Sequence, residues 1–124
     1  MSISLTKREL DVMSVVWEME SATVGEVRDR LADDLAYSTV LTIFRTLESK
    51  GFVRHEQEGK AFRYYALLRA DDAGDSALGR LLNKVYQGSR ELLVTRLVSD
   101  ESVSPDELRN IRKLLDERLK EMDQ

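Results

Sequence analysis

Apolar positions in the first third of the chain recur at helical spacing and break off twice in the same way. Leu10, Val12, Met13, Val16 or Trp17, and Met19 follow Thr6, which has Glu9 three residues on. In that spacing the Thr6 hydroxyl and the Glu9 carboxylate each satisfy the other's free backbone N–H, so a helix is expected up to Met19 with its apolar side on a core. Ser21-Ala22 interrupts the pattern, and Thr23 with Glu26 then repeats the capping box before Val24, Val27 and Leu31. A short second helix is expected there, and Gly25 in its first turn would allow close helix packing. Asp33-Asp34 places negative charge where a helix C-terminus disfavours it, which predicts a turn. A third helix is expected from Ser38 or Thr39 to Lys50, ended by Gly51 in the left-handed region.

The third helix is unusual in what it leaves outside. At about 100° per residue, Val40, Ile43, Phe44 and Leu47 share one face, while Ser38, Thr42, Arg45 and Ser49 lie opposite and Thr39 and Thr46 flank them. A solvent-facing helix surface usually carries Glu and Lys, whereas this one carries hydroxyls and an arginine. Such small side chains let a helix approach a duplex closely and touch phosphates or bases in the major groove. The same Ser and Thr residues would also suit an ordinary amphipathic helix by bonding their own backbone. The next segment favours the first reading. Phe52 to Gln57 reads as a strand, Glu58-Gly59-Lys60 as a tight turn, and Ala61 to Leu67 as a returning strand rich in aromatics. Three short helices followed by a hairpin with a basic tip make a winged helix, with Lys60 and Arg63 as phosphate contacts. Tyr64 and Tyr65 must point to opposite faces, so only one of them is free to touch DNA.

Beyond Asp71-Asp72-Ala73-Gly74 the pattern is purely helical. Leu78, Leu81, Leu82, Val85 and Tyr86 keep helix spacing until Gln87-Gly88, and Leu92, Leu93, Val94, Leu97 and Val98 then crowd a short helix expected to be buried on most sides. Ser104, with Pro105 at the first helical position and Glu107 at the third, opens a last helix. Its apolar stripe is Leu108, Ile111, Leu114 or Leu115, Leu119 and Met122. Three such helices hold too little core to bury these stripes alone, and a symmetric self-partner is the commonest remedy. The expected architecture is mostly α with a small β wing: a winged helix-turn-helix over residues 1–70 and a three-helix dimerisation module over 71–124. The dimer contacts are expected at Leu78, Leu81, Leu82, Val85, Leu92, Leu93, Leu97, Leu108, Ile111, Leu115 and Leu119. Two-fold symmetry would place two recognition helices on an inverted repeat.

Composition narrows the function. The 124 residues carry a net charge of −4, which looks unsuited to nucleic acid until it is divided along the chain. Residues 38–70 hold Arg45, Lys50, Arg54, Lys60, Arg63 and Arg69 against Glu48, Glu56 and Glu58, a local positive excess that a dimer would double. There is no cysteine, which removes disulfides, thiolate metal sites and thiol nucleophiles together. His55 is the single histidine, and no Gly-rich phosphate loop or Ser-His-Asp set can be assembled, so no catalytic or metal residue, cofactor or enzyme activity is expected. His55 itself reads as a surface or DNA-proximal side chain on the wing, and Trp17 as core. No stretch reaches the roughly 20 apolar residues of a membrane span, and the first residues lack a signal-peptide pattern, so a cytoplasmic protein without membrane insertion is expected.

Several segments together resemble the penicillinase repressor family of bacterial regulators: LTKRELDVMSVVW (5–17), AYSTVLTIFRTLESKGFV (36–53), EGKAFRYY (58–65), Gly88-Ser89 and VSPDEL (103–108). The resemblance implies a homodimeric transcriptional repressor whose winged helix binds a palindromic operator in double-stranded DNA. It places Thr39, Thr42 and Thr46 on the recognition helix and Lys60 at a wing position commonly basic. In the β-lactamase branch a membrane sensor metalloprotease is a partner, and the repressor is released by cleavage of an Asn-Phe bond in the helix joining its modules. That bond maps onto Arg96-Leu97 within the 89–99 helix, a departure from the pattern. Copper-responsive relatives use a C-terminal cysteine cluster, which this chain lacks. The rival readings are a winged-helix protein-interaction module without DNA binding and a ligand-gated repressor.

Overall fold

The computed structural model describes residues 3–124. Helix α1 (Lys7–Met19) opens with the expected capping box, Thr6 accepting from the Glu9 N–H at 3.2 Å and Glu9 from the Thr6 N–H at 2.7 Å. The Thr23–Glu26 box likewise opens α2 (Val24–Arg30). No atom would crowd a side chain at Gly25, so the close packing expected of that glycine is not used. The recognition-helix candidate α3 (Tyr37–Ser49) starts a residue or two earlier than the sequence suggests, because Ala36 precedes it and no side chain caps its first turn. Gly51 follows with φ +83°, the left-handed exit that glycine permits.

Strand β1 (Ser21–Thr23) lies where the sequence pattern shows only an interruption between helices. It exists because β3 (Ala61–Ala66) offers it a free edge, and a three-residue strand with one buried side chain, Ala22, has no alternation to reveal it. Strand β2 (Val53–Glu58) pairs with the other edge of β3, so the antiparallel sheet runs β1-β3-β2. The β2–β3 turn is closed by Glu58 opposite Ala61 and holds Gly59 at φ +62°, the first of its two central residues, as a type II′ hairpin requires.

Val12, Met13, Val16, Ala22, Val27, Val40, Phe44, Leu47 and Tyr64 are buried together beneath α1, α2, α3 and the sheet. Trp17 is half-buried against this core and donates its Nε1–H to the Leu68 carbonyl at 2.9 Å.

The helical second half comprises α4 (Ala70–Lys84), α5 (Arg90–Val98, capped by Ser89) and α6 (Pro105–Met122, capped by Ser104). Between α4 and α5 the backbone turns through two positive-φ residues, Gln87 and Gly88, where the apolar run was expected to break. The chain divides into two compact units, the first ending at Gly79 and the second spanning Arg80–Gln124. The first unit includes the opening turns of α4, where Ala73 joins the core. In the second unit α5 departs from expectation. Only Leu93 among its residues is buried, and Leu92, Val94 and Leu97 are exposed, because no second layer covers them within one chain.

Candidate nucleic-acid interface

The roll of α3 is set from inside. Val40, Phe44 and Leu47 are fully buried, which turns Ser38, Thr39, Thr42, Arg45 and Thr46 outward, all of them exposed. The Thr42 hydroxyl donates to the Ser38 carbonyl at 2.9 Å and the Thr46 hydroxyl to the Thr42 carbonyl at 3.1 Å. Their oxygens can still accept a bond from outside, and their γ-methyls add small apolar contacts. Neither Ser38 nor Thr39 makes a side-chain hydrogen bond among the described residues, and Arg45 makes no ion pair among them.

Two contacts tie this helix to the wing. The Phe44 and Tyr64 rings stack with centroids 4.0 Å apart, and His55 Nδ1 of β2 lies 2.6 Å from Glu48 Oε2 of α3. Burial pushes the Tyr64 phenol above its ordinary pKa, the Glu48 charge adds to this, and Arg45 opposes it. Tyr64 is therefore the core member of the tyrosine pair. Tyr65, half-buried on the other face of the sheet, lies under the Arg54 guanidinium at 4.3 Å.

The basic side chains of the wing differ in how free they are. Lys60, at the turn, is exposed and makes no ion pair among the described residues. Arg54 is paired with Glu56 at 2.8 Å. Arg63 is only 22% exposed and reaches Glu58 at 3.0 Å, Glu26 at 3.1 Å and the Ser21 hydroxyl at 3.3 Å. The bond to Glu58 is the main reason its guanidinium pKa rises further, with desolvation opposing and the Glu26 charge adding to the rise. The Glu26 carboxyl is held below its ordinary pKa first by the Thr23 N–H, against desolvation, and then by the Thr23 hydroxyl and Arg63. Arg63 thus braces β3 to β1 and the start of α2, where the sequence suggested a free phosphate contact.

A second brace lies at the far end of α3. Lys50 Nζ donates to Glu9 Oε1 at 2.8 Å, joining the C-terminus of α3 to the first turn of α1. Glu9 is 4% exposed, and its other oxygen is buried without a partner among the described residues. Burial would raise the Glu9 pKa, but the Lys50 bond and the two Thr6 bonds outweigh it and lower it. Sequence reading assigned Glu9 its cap and missed its ion partner, since nothing local marks a pair 41 residues apart.

In the helical half, the expected dimer contacts Leu78, Leu81, Val85, Leu92, Leu97, Leu108, Leu115 and Leu119 are exposed, Leu82 and Ile111 half-buried, and Leu93 buried. Arg96 and Leu97 lie in α5, both exposed. Among the described residues no group of His, Asp and Glu side chains converges to hold a metal ion, and no helix is long and apolar enough to cross a membrane.

Comparison with known proteins agrees with this geometry. The model of the family described as "Penicillinase repressor" matches residues 5–117. The chain belongs to the penicillinase repressor family. It is 28% identical to the methicillin resistance regulatory protein MecI of Staphylococcus aureus over 116 residues, 92% of this chain and 94% of that one. With the penicillinase repressor of Bacillus licheniformis it shares 27% identity over 115 residues, covering 91% and 90% of the two chains. Among solved structures it is similar to the DNA binding domain of the repressor BlaI, with 29% identity and a TM-score of 0.51 over 58% of this chain and 93% of that one. A MarR family protein from Bacillus stearothermophilus, 21% identical, matches with a TM-score of 0.52 over 98% of this chain and 78% of that one, a likeness of fold.

Proposed function

We propose that this family member is a cytoplasmic transcriptional repressor that binds a palindromic operator in double-stranded DNA as a homodimer, reading the major groove with α3 and touching the backbone with Lys60 of the wing. The observation that carries this reading is the outer face of α3. Every large apolar residue of that helix is turned inward or half-buried except Tyr37 in its first turn, and what remains outside is hydroxyl, methyl and one arginine without an ion partner. Arg45 is the residue best suited to a bidentate base contact, and Ser38, Thr39, Thr42 and Thr46 to closer, smaller ones. Arg63 serves by holding the wing in place.

Dimer formation is supported by the exposed leucines and valines of α4, α5 and α6, a larger apolar surface than a stable monomer usually leaves to water. With residues 71–124 as the dimerisation domain and 1–70 as the DNA-binding one, two-fold symmetry would set the two α3 helices about one duplex turn apart. Release by proteolysis would fall in α5. Within one chain Leu93 is the one buried side chain of α5, so a cut at Arg96-Leu97 or a neighbouring bond would require the dimer contacts at Leu92 and Leu97 to open first. Whether a membrane metalloprotease makes the cut is testable by incubating the two proteins together.

Selection of bound sequences from a pool of random duplexes tests the main reading. An inverted repeat with half-sites about 10 base pairs apart is expected. Thr42→Ala and Arg45→Ala should each relax preference at one half-site position while leaving the dimer folded. Unchanged preference in both variants would move the reading face elsewhere.

A further inference from the structure

The hairpin's two faces are not alike. Side chains that share the α3 side of β2 and β3 come in three rows: Val53 with Ala66, His55 with Tyr64, and Gln57 with Phe62. The α3 helix covers the inner rows, as Val53 and Tyr64 are buried and His55 meets Glu48. The third row projects past that cover towards the tip, and there Phe62 remains 37% exposed, its ring inclined at 71° to that of His55 with centroids 4.9 Å apart. On the opposite face the charges are already spent on one another, Arg63 on Glu58 and Glu26, and Arg54 on Glu56. Lys60, two residues before Phe62, is left as the wing's cation without an ion pair among the described residues. The side of the wing that adjoins α3 therefore offers a partly exposed aromatic ring, and Lys60 in the turn adds one ammonium group at the tip.

We propose that Phe62 is a DNA-contacting residue: the exposed part of its ring packs against deoxyribose and base edges in the minor groove beside the segment read by α3, while Lys60 holds the adjoining phosphate. The inference rests on the reading of this chain as a duplex-binding repressor. Apolar side chains are established minor-groove contacts in other folds, and an aromatic ring there gains from apolar burial rather than from counterion release. The sequence held the signal for this residue, since Phe62 has the same strand parity as the core residue Tyr64 and lies next to the turn.

The two wing residues should then be separable by salt. Using the full chain and a duplex obtained by selection, Phe62→Ala should weaken binding about three- to sixfold per protomer, from the third of the side chain still to be buried, by the same factor at every ionic strength. Lys60→Ala should instead flatten the slope of log K against log salt by about 0.9 per protomer. Netropsin, which occupies the minor groove, should reduce wild-type binding and erase the difference between wild type and Phe62→Ala. A second measurement needs no variant: in protein labelled with 4-fluorophenylalanine, the Phe62 fluorine resonance should move on adding duplex while those of buried Phe44 and Phe52 stay. Equal affinity of a folded Phe62→Ala protein, a loss that grows or shrinks with salt, or a Phe62 resonance that stays put would overturn the proposal. If the wild-type chain binds no duplex at all, it is the underlying repressor reading that fails.

Discussion

Replacing Lys50 by methionine should destabilise the first unit by an amount that depends on pH in a defined way. The ammonium group is the ion partner of Glu9, 2.8 Å away, and the Glu9 side chain is only 5% exposed, whereas Lys50 is 37% exposed. Removing one partner of a fully buried pair costs about 3–5 kcal/mol. Exposed pairs are worth about 0–1 kcal/mol. Because Lys50 is partly solvated and Glu9 is not, the loss should fall between these limits, at about 2 kcal/mol near neutral pH. Methionine keeps the length and the apolar stem, so the change reports on the charge. The sign of the pH dependence follows from Glu9, whose folded pKa is lowered from its ordinary 4.5. A carboxyl with a depressed folded pKa contributes stability above the unfolded value, and that contribution disappears as pH falls through the folded one. Wild type and Lys50→Met should therefore differ most at pH 7 and converge as pH falls below 4.5, where Glu9 becomes protonated. Urea unfolding followed by tryptophan fluorescence suits the test, because Trp17 is the single tryptophan and packs on the core of this unit. A variant as stable as wild type at pH 7, or a deficit that stays constant into acid, would mean that the Lys50–Glu9 pair does not stabilise the folded unit.

Three further outcomes follow from the same geometry. Arg63→Ala leaves Glu58 and Glu26 without their shared cation, so it should lower the melting temperature while leaving the salt slope of duplex binding unchanged, as measured by calorimetry and by titration at several salt concentrations. Glu20 ends α1 with φ +71°, a strained conformation for a residue with a Cβ, so Glu20→Gly should stabilise the protein by about 1 kcal/mol in denaturant unfolding. Leu97→Asp and Leu119→Asp, at two exposed positions of the apolar stripes, should shift the chain towards monomer in sedimentation equilibrium while the circular dichroism of the first unit persists.

Much of the fold was legible because its signals are local. The Thr6–Glu9, Thr23–Glu26 and Ser104–Glu107 spacings each act within one helical turn, and the Gly51 and Gly59 positions follow from backbone sterics alone. The start of α3 was misjudged because Ser38 and Thr39 resemble caps, whereas they lie inside the helix and point outward. Strand β1 was invisible since its reason for existing is the free edge of β3, some forty residues later. The same distance hides what Arg63 does: its basic character suggested phosphate, and its partners Glu26 and Ser21 come near only when the sheet forms. Burial of α5 was over-read because a dense apolar run implies a covering layer without saying which chain supplies it.

If α3 and the wing form a surface for duplex DNA, binding to a selected duplex must weaken with salt by an amount that the free cations of that surface set. Arg45 and Lys60 are the two basic residues of 38–70 without an ion pair among the described residues, since Lys50, Arg54, Arg63 and Arg69 each have an acidic partner. A dimer would then bring about four such cations to the duplex, Lys60 at the backbone and Arg45 in the groove, and if each displaces about one counterion the slope of log K against log salt is about −3.6 and the affinity loss roughly 150-fold between about 50 and 200 mM. Binding that is absent at low salt, or present with a slope near zero, would mean that α3 and the wing are not a duplex-binding surface.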